Sequence, residues 1–342
     1  MKAAIVEKIG NVSIKDIPKP SPGHEEVLVK ISTAGVCHSD LHLSNGDWPV
    51  AAPPFPIGHE GIGIVEELGP GADAFVKEGD RVILGLGGGG GAYWCGACEY
   101  CLSGRPMLCT HGKNLFGTFG EYISIWAKAV VKLPEEVSDK EVPLACAGLT
   151  AYSAVKKLVS LGVTPGKPIA IIGAAGGLGH YAVQIAKAFG YKVVGVDIGT
   201  EKLEFIEKLG ADHALEANKS GSFVQKQFGG VYSSIVFASK IAGLQLGLSL
   251  LRAGGVLIGV GLPAFKEGML SINPFMFILR GLRMVGSYVG TVQEMRELVQ
   301  LAADGKVKTH ISRTAKLSEI NQVFEELQNA KFVGRAILEI SE

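Results

Sequence analysis

Between residues 1 and 147 the apolar positions alternate over short runs: Val27-Leu28-Val29-Lys30-Ile31, Ile62-Gly63-Ile64-Val65 and Tyr122-Ile123-Ser124-Ile125. Glycine, proline and aspartate separate them. A period of two between such breaks predicts short strands, and no long amphipathic helix interrupts them. From about residue 151 the period changes. Tyr152, Val155, Leu158 and Val159 recur at helical spacing. Strand-like runs at Pro168–Ile172, Lys192–Asp197, Ile235–Ala238 and Gly255–Gly261 then alternate with helical runs at Gly177–Phe189, Glu201–Leu209 and Ala242–Arg252. This alternation predicts βαβ units: an α/β fold with a doubly wound parallel sheet. It stops after Val285–Tyr288. Thr291 with Glu294 has the spacing of a capping box, which predicts a helix to Ala303. A second helix near Ser318–Gln328 and a strand at Arg335–Ile340 complete the pattern.

Composition narrows the function classes. The chain has 342 residues, enough for about two domains at roughly 100–200 residues each. Lysine plus arginine number 33 and aspartate plus glutamate 33, so the charge balance gives no reason to expect nucleic acid or an anionic membrane as partner. The N-terminus lacks the apolar run of a signal peptide, and no uncharged apolar stretch is long enough to span a bilayer. A soluble cytoplasmic protein is expected. Four of the six cysteines fall between 95 and 109, and in a reducing compartment clustered thiols point to a metal rather than to disulfides.

Two kinds of site stand out. The first is a glycine loop, Gly173-Ala174-Ala175-Gly176-Gly177-Leu178-Gly179, between a strand and a helix. Gly173, Gly176, Gly177 and Gly179 would allow a tight turn and close backbone approach to a pyrophosphate, with Leu178 leading into the helix whose N–H groups face the phosphates. The spacing is one residue longer than G-x-G-x-x-G. The next strand ends at Asp197, where a carboxylate suits the adenosine ribose hydroxyls and repels a 2′-phosphate, so NAD is expected over NADP. The alternative is a glycine-rich turn with Asp197 as a helix cap.

The second kind is metal-binding. Cys95-x-x-Cys98-x-x-Cys101-x₇-Cys109 offers four thiolates, which suit a closed, structural zinc site. An iron–sulfur cluster or disulfides are the alternatives. Cys37, His59 and Cys146 make a Cys₂His set of the kind that holds a catalytic zinc with one open position. Nothing in their spacing joins them; taken alone, Cys146 in its apolar segment reads more readily as a core residue and His59 as a hydrogen-bonded histidine.

The motifs occur in a telling order. Gly35-Val36-Cys37-His38-Ser39-Asp40-Leu41-His42 is followed by Gly58-His59-Glu60-Gly61-Ile62-Gly63 and by the four-cysteine lobe. Leu144-Ala145-Cys146-Ala147-Gly148-Leu149-Thr150-Ala151-Tyr152, the glycine loop, Ser287-Tyr288-Val289-Gly290 and Val333-Gly334-Arg335 come after. Over essentially its whole length the chain resembles the zinc alcohol dehydrogenases of the medium-chain dehydrogenase superfamily, yeast and bacterial tetrameric type.

That resemblance implies a GroES-like β-rich catalytic domain from residues 1–149 and 290–342, carrying the zinc lobe at 95–109. It implies a Rossmann NAD-binding domain at 150–289, two zinc ions per chain, and a homotetramer. Cys37, His59 and Cys146 match catalytic zinc ligands, with Asp40 and Glu60 as acids beside the metal. Ser39 and His42 match a proton relay. His38 and Arg335 match pyrophosphate contacts, Thr150 and Val260 contacts near the nicotinamide, and Lys202 a contact to the adenosine ribose. The implied reaction is reversible oxidation of primary alcohols to aldehydes with NAD. A polyol or other secondary-alcohol dehydrogenase, or a non-catalytic NAD-binding protein of this fold, are the competing readings.

The substrate pocket departs from the family pattern. Trp48 matches a pocket aromatic. A second tryptophan, expected a few residues before Cys95, is replaced by the run from Gly85 to Gly91. A widened pocket for longer or aromatic alcohols is expected; the alternative is a surface insertion with the pocket refilled by Tyr93 or a neighbour.

Overall fold

The computed structural model describes residues 1–48, 51–85, 91–264 and 267–340. The chain divides into two units: Met1–Leu149 with Val289–Gly305 and Thr309–Glu342, and Thr150–Tyr288 with Lys306–Lys308.

The first unit is organised by one long strand, Glu26–Val36, buried on both faces for most of its length. One edge pairs antiparallel with Gly61–Leu68. The other edge is shared, by Tyr122–Trp126 at its start and Arg335–Glu339 at its end. Register shifts after Leu28 and after Ile31 add local twist, which curls the sheet around its core. Seven strands join this sheet, and a three-stranded sheet of Asn11–Asp16, Lys2–Lys8 and Phe55–Pro56 lies beside it. The core between them is apolar, with Val27, Val29, Ile31, Ala34, Ile57 and Phe119 excluded from solvent. The expected helix after residue 290 is Val292–Ala303, and its capping box is formed. Glu294 N–H donates to Thr291 Oγ1 at 3.1 Å, and Thr291 N–H donates to Glu294 Oε2 at 2.9 Å.

The second unit is the parallel sheet. Its strands in chain order are Pro168–Ile172, Lys192–Asp197, His213–Glu216, Val231–Val236, Leu251–Gly259 and Arg283–Gly286. In space they lie 3-2-1-4-5-6. This is the Rossmann order, with its reversal beside the first strand, where the glycine loop leaves the sheet. Three elements were not anticipated: the strand His213–Glu216, the helix Ala217–Phe228 and the short helix Pro274–Leu279. The strand is a half-buried edge of four residues, too short for a period to show. The first helix after the loop begins at Gly179 rather than Gly177, because Gly176 and Gly177 belong to the turn. Among the described residues no helix is long and apolar enough to cross a membrane.

Candidate functional site

The end of the long strand sets the site in the first unit. Cys37 follows Val36 and is the N-cap of the helix His38–Ser44. Asp40, in that helix's first turn, folds back so that its Oδ2 accepts the Cys37 N–H at 2.9 Å. Its other oxygen lies 2.8 Å from His59 Nδ1. Asp40 is fully buried. A carboxylate can only accept, so Nδ1 carries the hydrogen and Nε2 is the nitrogen left to bind a metal. Among the described residues that Nε2 is buried without a hydrogen-bond partner. Such an orphan costs about 1–3 kcal/mol unless something binds it, and an imidazole whose other nitrogen donates to a carboxylate is in its metal-ligating form.

Strand pairing brings the rest together. Ala34 pairs with Gly61, so His59 and Glu60 run alongside Gly35 and Val36. Gly35 N–H donates to the Glu60 carbonyl at 3.2 Å. A Cβ on Gly35 would sit 2.0 Å from Glu60 Oε2, so only glycine leaves room for that carboxylate. Cys146 immediately precedes the helix Ala147–Ser160, and Ala147 N–H donates to Glu60 Oε1 at 3.3 Å. Cys37, His59, Glu60 and Cys146 are all buried and offer ligand atoms within 4.8 Å of one another. Glu60 is also the partner of the buried Arg335 guanidinium.

The electrostatics follow from burial. Glu60 is pushed up to about 7, chiefly by desolvation, with Arg335 opposing. The two thiols share one proton unequally: hydrogen bonding from Cys146 holds Cys37 well below the ordinary thiol range, and the same contact raises Cys146. Soft sulfur donors beside a prepared imidazole, all of them buried, fit zinc.

Around this cluster Ser39 places its hydroxyl 3.7 Å from Cys37 Sγ. His42, one helical turn on, faces Asp47 at 2.9 Å and stacks on Trp48 at 4.7 Å between ring centroids. His38 is exposed, and its ring lies 6.5 Å from that of His42.

The lobe forms a second group. Cys95, Cys98, Cys101 and Cys109 offer sulfurs within 4.8 Å of one another. Neighbouring sulfurs stand 3.5, 3.6 and 3.8 Å apart. A tetrahedron of 2.3 Å zinc–sulfur bonds sets its corners about 3.8 Å apart, so this group fits a closed zinc site. Without the ion the thiols differ: a backbone N–H from Cys101 lowers Cys98 to about 6, while burial raises Cys101 to about 12.

In the second unit Gly173 takes φ +79°, and a Cβ on Gly179 would lie 2.0 Å from the Gly173 carbonyl. Both glycines are therefore required by the turn. Asp197 ends its strand beside this loop. Its Oδ2 accepts the Ala175 N–H at 3.0 Å, and Lys202 Nζ is 3.3 Å from Oδ1. Thr150 and Val260 are buried within the same unit.

Comparison with known proteins agrees with this chemistry. Residues 23–135 match the family model described as alcohol dehydrogenase GroES-like domain, and residues 177–304 that described as zinc-binding dehydrogenase. An alcohol dehydrogenase of Geobacillus stearothermophilus is 41% identical, over 99% of this chain and 100% of its own. One from Moraxella sp. (strain TAE123) is 39% identical over 99% of both chains. The chain belongs to the zinc-binding alcohol dehydrogenase family. Among solved structures, the alcohol dehydrogenase of Aeropyrum pernix superposes with a TM-score of 0.89 at 36% identity, over 99% of this chain and 100% of that one. Like its family, the chain is an NAD-dependent alcohol oxidoreductase with zinc and NAD as cofactors.

Within this alcohol dehydrogenase the aromatic residues before the lobe have their own packing. Tyr93 and Trp94 lie against Trp126, 5.0 and 4.8 Å between ring centroids. Trp126 pairs with Glu26, at the far end of the strand that leads to Cys37. That strand spans roughly 30 Å at about 3.3 Å per residue. The glycine run itself, residues 86–90, lies outside the described residues. Asp47 and Gly35 were not singled out from the sequence. Asp47 carries no motif of its own, and a glycine that yields space to a carboxylate 25 residues away has no local signature.

Proposed function

We propose that the chain oxidises primary alcohols to aldehydes, reversibly, with two zinc ions of separate roles and with longer or aromatic alcohols accepted. The observation that carries this reading is the buried Cys37, His59 and Cys146 group with its orphaned His59 nitrogen. These three residues hold the catalytic zinc and leave a position for substrate, and the four lobe cysteines hold the structural one. When bound, zinc supplies a Lewis acid for the alcohol oxygen and NAD supplies the hydride acceptor. Asp40 fixes the His59 tautomer. Glu60 adds a buried carboxylate beside the ligands, and Ser39 and His42 carry the substrate proton outward. His38, Arg335, Thr150, Val260 and Lys202 complete the cofactor contacts with the glycine loop. The protein works in the cytoplasm as a homotetramer; exposed apolar side chains at Leu102, Phe275, Ile278 and Leu279 support association. Sedimentation should give four copies, and a monomer would refute that.

Two expected results test the finer reading. Trp48 remains while the expected second tryptophan is missing. With NAD saturating, hexanol and benzyl alcohol should match or exceed ethanol in kcat/KM, since one methylene's fit is worth about 1–3 kcal/mol in such pockets. A steep loss beyond two or three carbons would mean a narrow pocket. For the cofactor, Asp197→Ala should narrow the NAD-to-NADP ratio of kcat/KM by roughly a hundredfold, because like-charge juxtaposition costs several kcal/mol. Asp197→Asn keeps an acceptor for the Ala175 N–H and should narrow the ratio while sparing more NAD activity. A wild-type enzyme that used both cofactors equally would refute the role of Asp197.

A further inference from the structure

His42 sits on the short helix that begins at the metal cluster, and the chain after it turns straight back over it. Gly46 takes φ +69° to make that reversal, and Asp47 N–H donates to the His42 carbonyl at 2.9 Å. The turn brings Asp47 Oδ2 to 2.9 Å from His42 Nδ1. Both side chains are largely covered, at 18% and 19% exposure. The Trp48 ring lies against the imidazole at 4.7 Å and a 30° tilt, so the ring is held by its face as well as by one nitrogen. A second titratable group near it is His38, on the same helix, 6.5 Å away between ring centroids.

We propose that Asp47 is a positioning residue for proton transfer, holding His42 with Nδ1–H on the carboxylate and Nε2 as the only nitrogen that exchanges protons. The proposal rests on the reading of His42 as the outer member of the relay. A free imidazole in water interchanges its two tautomers, and a relay needs the lone pair on the nitrogen that meets the incoming proton. A carboxylate on Nδ1 settles which nitrogen that is, as an acid does for a histidine general base. The proton taken up at Nε2 makes an imidazolium whose charge Asp47 balances. Nε2–H then gives that proton to water, and the Nδ1 proton stays on the ring throughout. Trp48 in this arrangement is a wall for the imidazole as well as for substrate.

The test is the pH profile of kcat/KM for alcohol oxidation by zinc-loaded enzyme, for wild type, Asp47→Asn, His42→Gln and the double variant. Asparagine keeps an acceptor for Nδ1–H and removes the charge. The profile should therefore change in shape and not only in height, with its acidic limb displaced, because the charge that balances the imidazolium is gone. Added buffer bases should restore part of the lost rate above that limb. In the His42→Gln background Asp47→Asn should change nothing further, since the two act as one unit. If His42→Gln leaves the profile unchanged, the relay reading fails and takes the proposal with it. If His42→Gln alters the profile and Asp47→Asn does not, the relay stands and the role of Asp47 is overturned. It is equally overturned if Asp47→Asn lowers the rate evenly at every pH and adds fully to His42→Gln, which is what a merely structural turn residue would do. Asp47→Ser, read in the same way, replaces Asp47→Asn should that variant not fold.

Discussion

Cys146→Ser should leave one zinc ion per chain where the wild type holds two, and should lower kcat/KM for every alcohol by a factor on the order of a thousand. Lewis-acid polarisation of an oxygen is worth several kcal/mol of transition-state stabilisation, and each 1.36 kcal/mol is a factor of ten. A hydroxyl in place of the Cys146 thiolate is a far poorer zinc ligand, and a three-ligand site has no spare donor to compensate. The fold should survive. Cys146 lies between a 3₁₀ segment, Asp139–Ala145, buried from Glu141 onward, and the helix Ala147–Ser160. Cys101→Ser should do the reverse. The lobe has few buried contacts of its own; Leu102 is 75% exposed and the helix Glu99–Leu102 has no buried residue. A closed site contributes folding energy directly. Losing it should lower the thermal midpoint while the remaining folded enzyme keeps its kcat. Zinc content by atomic emission, with activity and melting of the same samples, checks both. One zinc in fully loaded wild type, or a Cys146→Ser enzyme with ordinary activity, would refute the division of roles.

The difference between the two metal groups also explains what the sequence could and could not reveal. The lobe cysteines lie within fifteen residues, so spacing alone indicates that their sulfurs meet. Cys37, His59 and Cys146 are joined by topology: the pairing of Ala34 with Gly61 puts the first two just beyond the ends of adjacent strands, and the Glu60 contact to Ala147 N–H, with hydrogen bonding between Cys146 and Cys37, ties in the third. No periodic signal contains that. Their assignment came from the resemblance, not from the residues taken singly. The capping box of Thr291 and Glu294 was legible because it is a local pattern with one structural meaning. The helix Ala217–Phe228 was not. Gly221, Ser220 and Ser222 break its apolar stripe, and only Ser220 and Val224 are buried. The strand Leu251–Gly259 begins four residues before its expected start, since Gly254 and Gly255 resemble a turn but form an irregularity against Val231–Ser233.

The buried pair of Glu60 and Arg335 should give the largest stability effect of any single charge. Glu60 is fully buried and Arg335 is 3% exposed, on the strand Arg335–Glu339 that pairs with the end of the strand leading to Cys37. Arg335→Met keeps the length and packing of the stem and removes the charge. It strands the Glu60 carboxyl in the core, which costs about 3–5 kcal/mol above about pH 7, where that group is ionised. At roughly 2–4 °C of midpoint per kcal/mol for a unit of this size, the thermal midpoint should fall by about 10 °C. Glu60→Gln combined with Arg335→Met should recover most of that loss, because a buried pair is worth little over a neutral replacement while half a pair is costly. Activity should not recover with it, since the acid beside the zinc ligands is then gone. Gly35→Ala reaches the same pair sterically: its Cβ at 2.0 Å must displace the Glu60 carboxylate from Arg335. Melting curves of zinc-loaded variants, with KM for NAD measured alongside, separate this role from cofactor binding alone. If Arg335 served only the pyrophosphate, Arg335→Met would raise KM for NAD and leave the midpoint where it was.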